Sequence, residues 1–96
     1  MNSSLIAQTA RAATSVGANY AEADATQTKK DFTHRIGICL REAKETRHWL
    51  RMLATANEDE KAECRKLWQE AQELVLIFSA IIRSARRSGE SDGQRI

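Results

Sequence analysis

The sequence predicts an all-α protein, an antiparallel up-down bundle of three long helices. Proline is absent from its 96 residues, only four are glycine and 42% are hydrophobic, so residues that interrupt helices are rare. Apolar residues also recur at alternating spacings of four and three along three segments, which is the pattern of amphipathic helices. Only a few residues separate these segments, so neighbouring helices must run antiparallel.

The first helix is predicted from about Ser4 to Ala23. Gly17 lies inside it, where glycine costs about 1 kcal/mol relative to alanine. We interpret Gly17 as a spacer that faces Gly37 of the second helix and lets the two helices approach closely, the alternative being a kink. The apolar stripe of the first helix consists of Ile6, Thr9, Ala13, Val16, Tyr20 and Ala23.

The second helix is predicted from Lys29 to Ala56. Thr28 precedes it as a capping residue, and Asp31 favours the positive end of the helix. Asn57 is the expected terminator, and the acidic residues 58–60 suit the first turn of another helix. The apolar stripe of the second helix consists of Phe32, Ile36, Cys39, Ala43, Thr46, Leu50 and Leu53.

The third helix is predicted from about Asp59 to Ser88, with Gly89 as its left-handed stop. Its apolar stripe is broad enough for two partner helices. One face, with Leu67, Leu74, Phe78 and Ile81, is assigned to the core. The other face supplies the candidates for an oligomer interface, Trp68, Val75 and Ile82. The full predicted core is Ile6, Val16, Phe32, Ile36, Cys39, Leu50, Leu67, Leu74, Phe78 and Ile81.

These segments form one domain over residues 1–88, followed by a polar, disordered tail over 89–96. The chain has a net charge of +2 and no signal-peptide pattern. Its longest apolar run, Leu74 to Ile82, is about half the length that spans a bilayer. We therefore expect a soluble cytoplasmic protein with no membrane partner.

No residue set predicts an enzyme, a metal site or a cofactor. Cys39 and Cys64 are isolated thiols and are expected in the core. His34, Arg41 and His48 lie along one face without a carboxylate or nucleophile at reacting spacing, so we interpret them as solvated. Glu42 and Glu45 lie one turn apart without the histidine of a diiron site.

Two further groups are candidate functional residues. Asn19 and Glu45 adjoin apolar stripes, so we expect both to be hydrogen-bonded and to fix the helix register. The basic residues of the second helix are interleaved with acids and can pair locally. If nucleic acid is bound, its candidate contacts are Lys29, Lys30, Arg47 and Arg51.

The chain resembles the bacterial four-helix-bundle family named after 23S rRNA intervening sequences. The resemblance lies in "ATSVGANYAEA", in "KKDFTHRIGICLREAKETRHWLRML" and in the helix from Arg65 to Arg83, and it covers about Ser4 to Arg86. Its pattern consists of Ser15, Gly17, Asn19, Glu22, Asp31, Phe32, Glu45, Trp49 and Leu50.

This resemblance implies a four-helix bundle that assembles into a ring-like homopentamer of unsettled role. It also implies a further helix before the first one here, so we expect either that the start at Met1 is misplaced or that the protein is a natural truncation. Related accessory proteins of diversity-generating retroelements are similar barrels thought to bind nucleic acid and a reverse transcriptase. The family's connecting stretch is typically rich in arginine, whereas here it reads "AEADATQT", which weakens the implication of nucleic-acid binding.

Two functions follow as hypotheses. The first is a non-enzymatic structural or interaction module that homo-oligomerises, because the third helix has more apolar surface than two other helices can cover. The second is a nucleic-acid-binding accessory protein, for RNA or DNA, that repeats a weak basic face around a ring.

Overall fold

A computed structural model describes residues 3–26 and 28–94, with side chains for residues 4–26 and 28–87. In these residues the chain forms helix α1 (Ser3–Ala25), helix α2 (Lys29–Ala56), a 3-10 turn (Glu58–Glu60) and helix α3 (Lys61–Gln94). They contain no strand. The predicted all-α bundle with three long helices is confirmed.

Helix α2 begins and ends at the predicted residues. The backbone N–H of Asp31 donates to the Thr28 hydroxyl oxygen at 3.1 Å, which satisfies one of the free amides of the first turn. At the other end, the backbone N–H of Asn57 donates to the Leu53 carbonyl oxygen at 2.9 Å. The extended φ of −135° at Asn57 then turns the chain out of the helix.

Helix α3 differs from its prediction at both ends. The acidic residues 58–60 form the 3-10 turn, so the α-helix starts at Lys61. Gly89 does not stop the helix, which continues to Gln94. The side chains of residues 88–96 lie outside the described part of the chain, so the predicted disordered tail over 89–96 stays a prediction.

Helix α2 is the central element and packs against both other helices. Among the described residues, no Cα atom of α1 lies within 8 Å of a Cα atom of α3. The core consequently lies along α2, where the side chains of Ile36 and Cys39 are fully buried. The buried apolar residues are Ala12, Val16, Ala23, Ile36, Cys39, Ala43, Leu50, Leu53, Cys64, Ala71, Val75 and Phe78.

The predicted core was wrong at Ile6, Leu67 and Leu74, which are all exposed. The reason is the rotation of α1 and α3 about their own axes. On α3, Val75 and Ile82 pack into the core cluster, which leaves Leu67 and Leu74 beside the gap between α1 and α3. Phe32 and Ile81 are half-buried at the edge of the same cluster.

The interpretation of Gly17 and Gly37 as facing spacers was also wrong. A Cβ atom added at either glycine would meet no atom within 4 Å outside its own helix backbone and chain neighbours. Gly17 lines the open gap between α1 and α3. Neither glycine therefore brings α1 and α2 closer together.

One exposed ion pair joins α1 to α2. The Arg35 guanidinium lies 2.8 Å from the Glu22 carboxylate, and both side chains are more than one third exposed. Solvent screens such a pair, so its contribution to stability is small, below about 1 kcal/mol. Burial along α2 is therefore the main source of stability.

Candidate functional site

An open apolar groove runs between α1 and α3, with α2 as its floor. Its volume is about 630 Å³, and Glu70 is the only charged residue among those that line it. We call it the apolar groove. Its lining residues are Thr9, Ala13, Val16, Gly17, Tyr20, Ala43, Thr46, Leu50, Leu67, Glu70, Ala71, Leu74, Ile77 and Phe78.

Helix α3 has two apolar rows with the same spacing. The row that packs on α2 is Cys64, Trp68, Ala71, Val75, Phe78, Ile82 and Ala85, which are buried or half-buried. The second row follows the apolar groove, and apart from Glu70 all of its members are apolar. This groove row is Leu67, Glu70, Leu74 and Ile77, and Ile81 continues its spacing outside the groove, at the edge of the core cluster. Heptad spacing along the second row is the pattern of a helix-packing surface.

The predicted interface residues occupy different positions from those expected. Val75 is buried in the core of its own chain, and Trp68 and Ile82 are half-buried. Three members of the groove row, Leu67, Leu74 and Ile77, are exposed instead. The heptad spacing of the second row was visible in the sequence and indicated a helix-packing surface. Spacing alone does not determine which edge of a broad apolar stripe packs on α2.

Two of the predicted nucleic-acid contacts lie beside Trp68. The guanidinium carbons of Arg47 and Arg51 are 5.8 and 5.7 Å from the Trp68 ring centroid, within the range of cation–π contacts. Arg47 is half-buried, and its terminal nitrogen donates to the Gln72 side-chain oxygen. Arg47 thus takes part in the α2–α3 contact, whereas Arg51 is exposed.

Arg51 also lines an open cavity near the turn between α2 and α3. The cavity has a volume of about 540 Å³, and Lys61 and Arg65 contribute two further positive charges against the negative charge of Glu58. Trp68 provides an aromatic wall. The cavity therefore combines cationic and aromatic groups, the two kinds of group that bind single-stranded nucleic acid.

Lys29 and Lys30 lie at the other end of α2. Arg47 follows Lys30 by seventeen positions along α2, which corresponds to about 26 Å at 1.5 Å per residue. Both lysines are exposed. The four predicted contacts therefore form two separate pairs rather than one patch.

The predicted structural polar residues make no contact between helices. Asn19 donates from its side-chain nitrogen to the carbonyl and hydroxyl oxygens of Ser15, at 2.9 and 3.2 Å, so both bonds lie within α1. Glu45 is exposed, and within the described residues it has no hydrogen bond or ion pair. Register is therefore set by the apolar rows in this chain.

Both cysteines are buried thiols. Burial raises the pKa of Cys39, whose Sγ lies 3.8 Å from the Val16 carbonyl oxygen. Burial and the nearby carboxylates of Glu60 and Glu63 raise the pKa of Cys64. A raised pKa keeps a thiol protonated and weakly nucleophilic. The described residues contain no cluster of three or more potential metal ligands.

The histidine row of α2 lies on the outer side of the bundle. His34, Arg41 and His48 are all exposed. His48 makes an edge contact with the ring of Trp49 at a centroid distance of 4.9 Å. In the part of the chain that the structure describes, no helix has the length and apolar character needed to cross a membrane.

Fold and surface define a class of small helical-bundle protein with an uncovered apolar groove. The chain belongs to the 23S rRNA-intervening sequence protein family, which it matches over residues 1–89. It is also similar to the crystal structure of a protein with unknown function from the S23 ribosomal protein family of Bacteroides thetaiotaomicron. The TM-score is 0.76 at 31% identity, over 81% of this chain and 72% of that one. No curated protein matches the chain.

Proposed function

We propose that this protein is a non-enzymatic module that homo-oligomerises and acts by presenting its assembled surface to a partner. The observation that carries the proposal is the apolar groove, which leaves Leu67, Leu74 and Ile77 exposed side by side. Contiguous exposed apolar surface of this kind is typical of sites where proteins associate.

The energetic argument favours association. Burial of apolar surface contributes about 25 cal/mol per Å², so each half-exposed leucine or isoleucine forgoes roughly 1 kcal/mol while it stays in water. Several such side chains together amount to a sizeable part of the 5–15 kcal/mol that stabilises a typical domain. Copies of the chain that cover one another's grooves recover this free energy. The family resemblance favours a pentamer.

Sedimentation velocity over a dilution series from micromolar concentration tests the proposal. We expect species heavier than the 10.8 kDa chain, with a mass that falls on dilution if exchange is fast. A single folded species of chain mass throughout the series would contradict the proposal. Fractionation of the source cells tests the accompanying expectation that the assembly is cytoplasmic.

A second candidate function is nucleic-acid binding at the cavity beside Trp68. The grouping of Arg51, Lys61 and Arg65 around an aromatic ring favours it. Electrophoretic shift with single-stranded RNA, with structured RNA and with duplex DNA, at low and moderate salt, tests it. We expect the double variant Arg51→Glu, Arg65→Glu to weaken binding and flatten its salt dependence, since phosphate contacts are the salt-sensitive part of affinity.

The lysine pair at the other end of α2 provides the matched control for that experiment. The double variant Lys29→Glu, Lys30→Glu makes the same change in charge about 30 Å away. Equal losses of nucleic-acid affinity in the two double variants would indicate a general effect of charge rather than a binding site. No shift of any of these nucleic acids at low salt would contradict this second function.

A further inference from the structure

We propose that the cavity beside Trp68 holds one unpaired nucleotide of a single-stranded nucleic acid, with its base against the Trp68 ring and its phosphate between Arg51, Lys61 and Arg65. This inference rests on the second proposed function, nucleic-acid binding, and specifies which form of nucleic acid is bound. All four residues belong to α2 and α3 of one chain. The site therefore needs no residue from a second copy, and each copy of a ring would carry one.

The positive charges at the cavity are left without ion pairs. Arg51, Lys61 and Arg65 line it together with a single acidic residue, Glu58. Among the described residues, none of these three cations forms an ion pair with a carboxylate. Lys61 and Arg65 lie one turn apart, about 6 Å along α3. The cavity thus carries a net positive charge that a phosphate group can satisfy.

Trp68 supplies a surface for the base. Its ring is half-buried and lines the cavity, and the Arg51 guanidinium carbon lies 5.7 Å from the ring centroid. Unpaired bases stack on aromatic rings and on guanidinium planes. Arg47 lies 5.8 Å from the same ring and donates to Gln72, one turn further along α3. The ring is therefore held in place before a ligand arrives.

The size of the cavity suits one nucleotide. Its volume of about 540 Å³ lies within the range of about 300–1,000 Å³ that is usual for small-ligand pockets. The carboxylates of Glu60 and Glu63 lie near the Cys64 thiol, but neither residue lines the cavity. The cavity is open, so the strand on either side of the bound nucleotide can continue over the surface.

A duplex fits this surface less well than a single strand. The bases of a duplex are stacked on one another and present only their edges in the grooves, so no base face is free for Trp68. A duplex along α2 would also need unpaired cations in a row. Two arginines of that helix are already beside carboxylates, Arg35 at 2.8 Å from Glu22 and Arg41 at 3.8 Å from Glu42.

Fluorescence anisotropy tests the inference with a labelled single-stranded RNA of about 12 nucleotides and with the duplex of the same sequence. We expect the single strand to bind about tenfold more tightly than the duplex, because only the single strand can stack a base on Trp68. Trp68→Leu should weaken binding of the single strand by about tenfold. Its salt dependence should stay that of the wild type, because the phosphate contacts remain.

Trp49→Leu is the matched control. It makes the same substitution at a half-buried tryptophan of α2 that does not line the cavity, and it should keep the wild-type affinity. Circular dichroism checks the helix content of both variants. If Trp68→Leu loses its helices, Trp49→Phe leaves Trp68 as the one tryptophan. The single strand should quench its emission, and binding without quenching would overturn the inference.

The outcomes separate this inference from nucleic-acid binding in general. Equal affinity for single strand and duplex would overturn the inference while the second function stands, and so would equal losses in Trp68→Leu and Trp49→Leu. No binding of either probe overturns both. Displacement of the strand by an equal concentration of free adenosine monophosphate would assign the cavity to a free nucleotide and overturn the strand as its ligand.

Discussion

The ring of Tyr20 on α1 lies 6.2 Å from the ring of Phe78 on α3, centroid to centroid, with the ring planes tilted by 38°. This contact joins two helices whose Cα atoms stay more than 8 Å apart throughout the described residues. Phe78 is buried, whereas Tyr20 is half-exposed. The two rings therefore bridge α1 and α3, and both of them line the apolar groove.

The first prediction concerns Leu74, which lies in the middle of the groove row. We expect Leu74→Glu to shift the assembly to monomer, because a carboxylate placed against the apolar groove of another copy loses its hydration. Circular dichroism should show that helix content is kept, since Leu74 is exposed in the single chain. Sedimentation velocity measures the change in mass.

Leu76→Glu is the matched control for this prediction. It makes the same substitution two residues away, at a leucine whose side chain is 58% exposed and does not line the groove. The control variant should keep the wild-type mass. Equal dissociation of both variants would show that the groove row has no special role.

The second prediction compares the two glycines of the helix interiors. Gly37→Ala should raise the free energy of unfolding by up to about 1 kcal/mol, because alanine favours the helix and the added methyl group meets open space. Gly17→Ala should bring the same gain to the single chain but weaken association, because its methyl group projects toward the groove. Denaturation of both variants measures the gain in stability, and sedimentation measures their association. Identical association constants for Gly17→Ala and Gly37→Ala would contradict the prediction.

The third prediction concerns the core along α2. Ile36 is fully buried, so Ile36→Ala should lower the free energy of unfolding by about 2–5 kcal/mol through lost burial and a residual cavity. Urea denaturation measures the loss. Met52→Ala, at an exposed apolar residue of the same helix, should change the stability by less than about 0.5 kcal/mol. A small loss of stability in Ile36→Ala would contradict the location of the core along α2.

The fourth prediction concerns pH. Burial raises the pKa of Cys39 and of Cys64 above the ordinary value of 9.0, so the unfolded chain loses these protons first as pH rises. The unfolded state then binds fewer protons than the folded state, and stability falls above about pH 9. This stability is fully present below that pH. In the double variant Cys39→Ala, Cys64→Ala, the free energy of unfolding should fall less steeply as pH rises. An unchanged dependence on pH would contradict the assignment of this loss to the two thiols.

Local signals predicted the helix ends better than the packing. The side chain of Thr28 caps α2 and Asn57 ends it, because the free amides and carbonyls of a helix end are satisfied by residues close in sequence. Gly89 carried the usual signal of a helix end and yet α3 continues past it. A glycine permits a left-handed stop but does not impose one.

The candidate site could be predicted only in part. The excess of apolar surface on α3 was evident from the sequence, but of the three interface candidates Val75 is buried in its own chain, while Trp68 and Ile82 are half-buried and stay predictions. Val75 and Leu74 are adjacent on the same broad stripe, and the one that enters the core depends on how α3 rotates against α2. That rotation is a property of long-range packing, which spacing along one helix does not contain.

Light scattering of the wild-type chain at micromolar concentration tests the central claim most directly, which is that the apolar groove is covered by further copies of the chain. The account predicts a folded, helical species whose mass is a multiple of 10.8 kDa. A stable, folded monomer of 10.8 kDa would show that the three helices tolerate an open groove, and it would contradict the account.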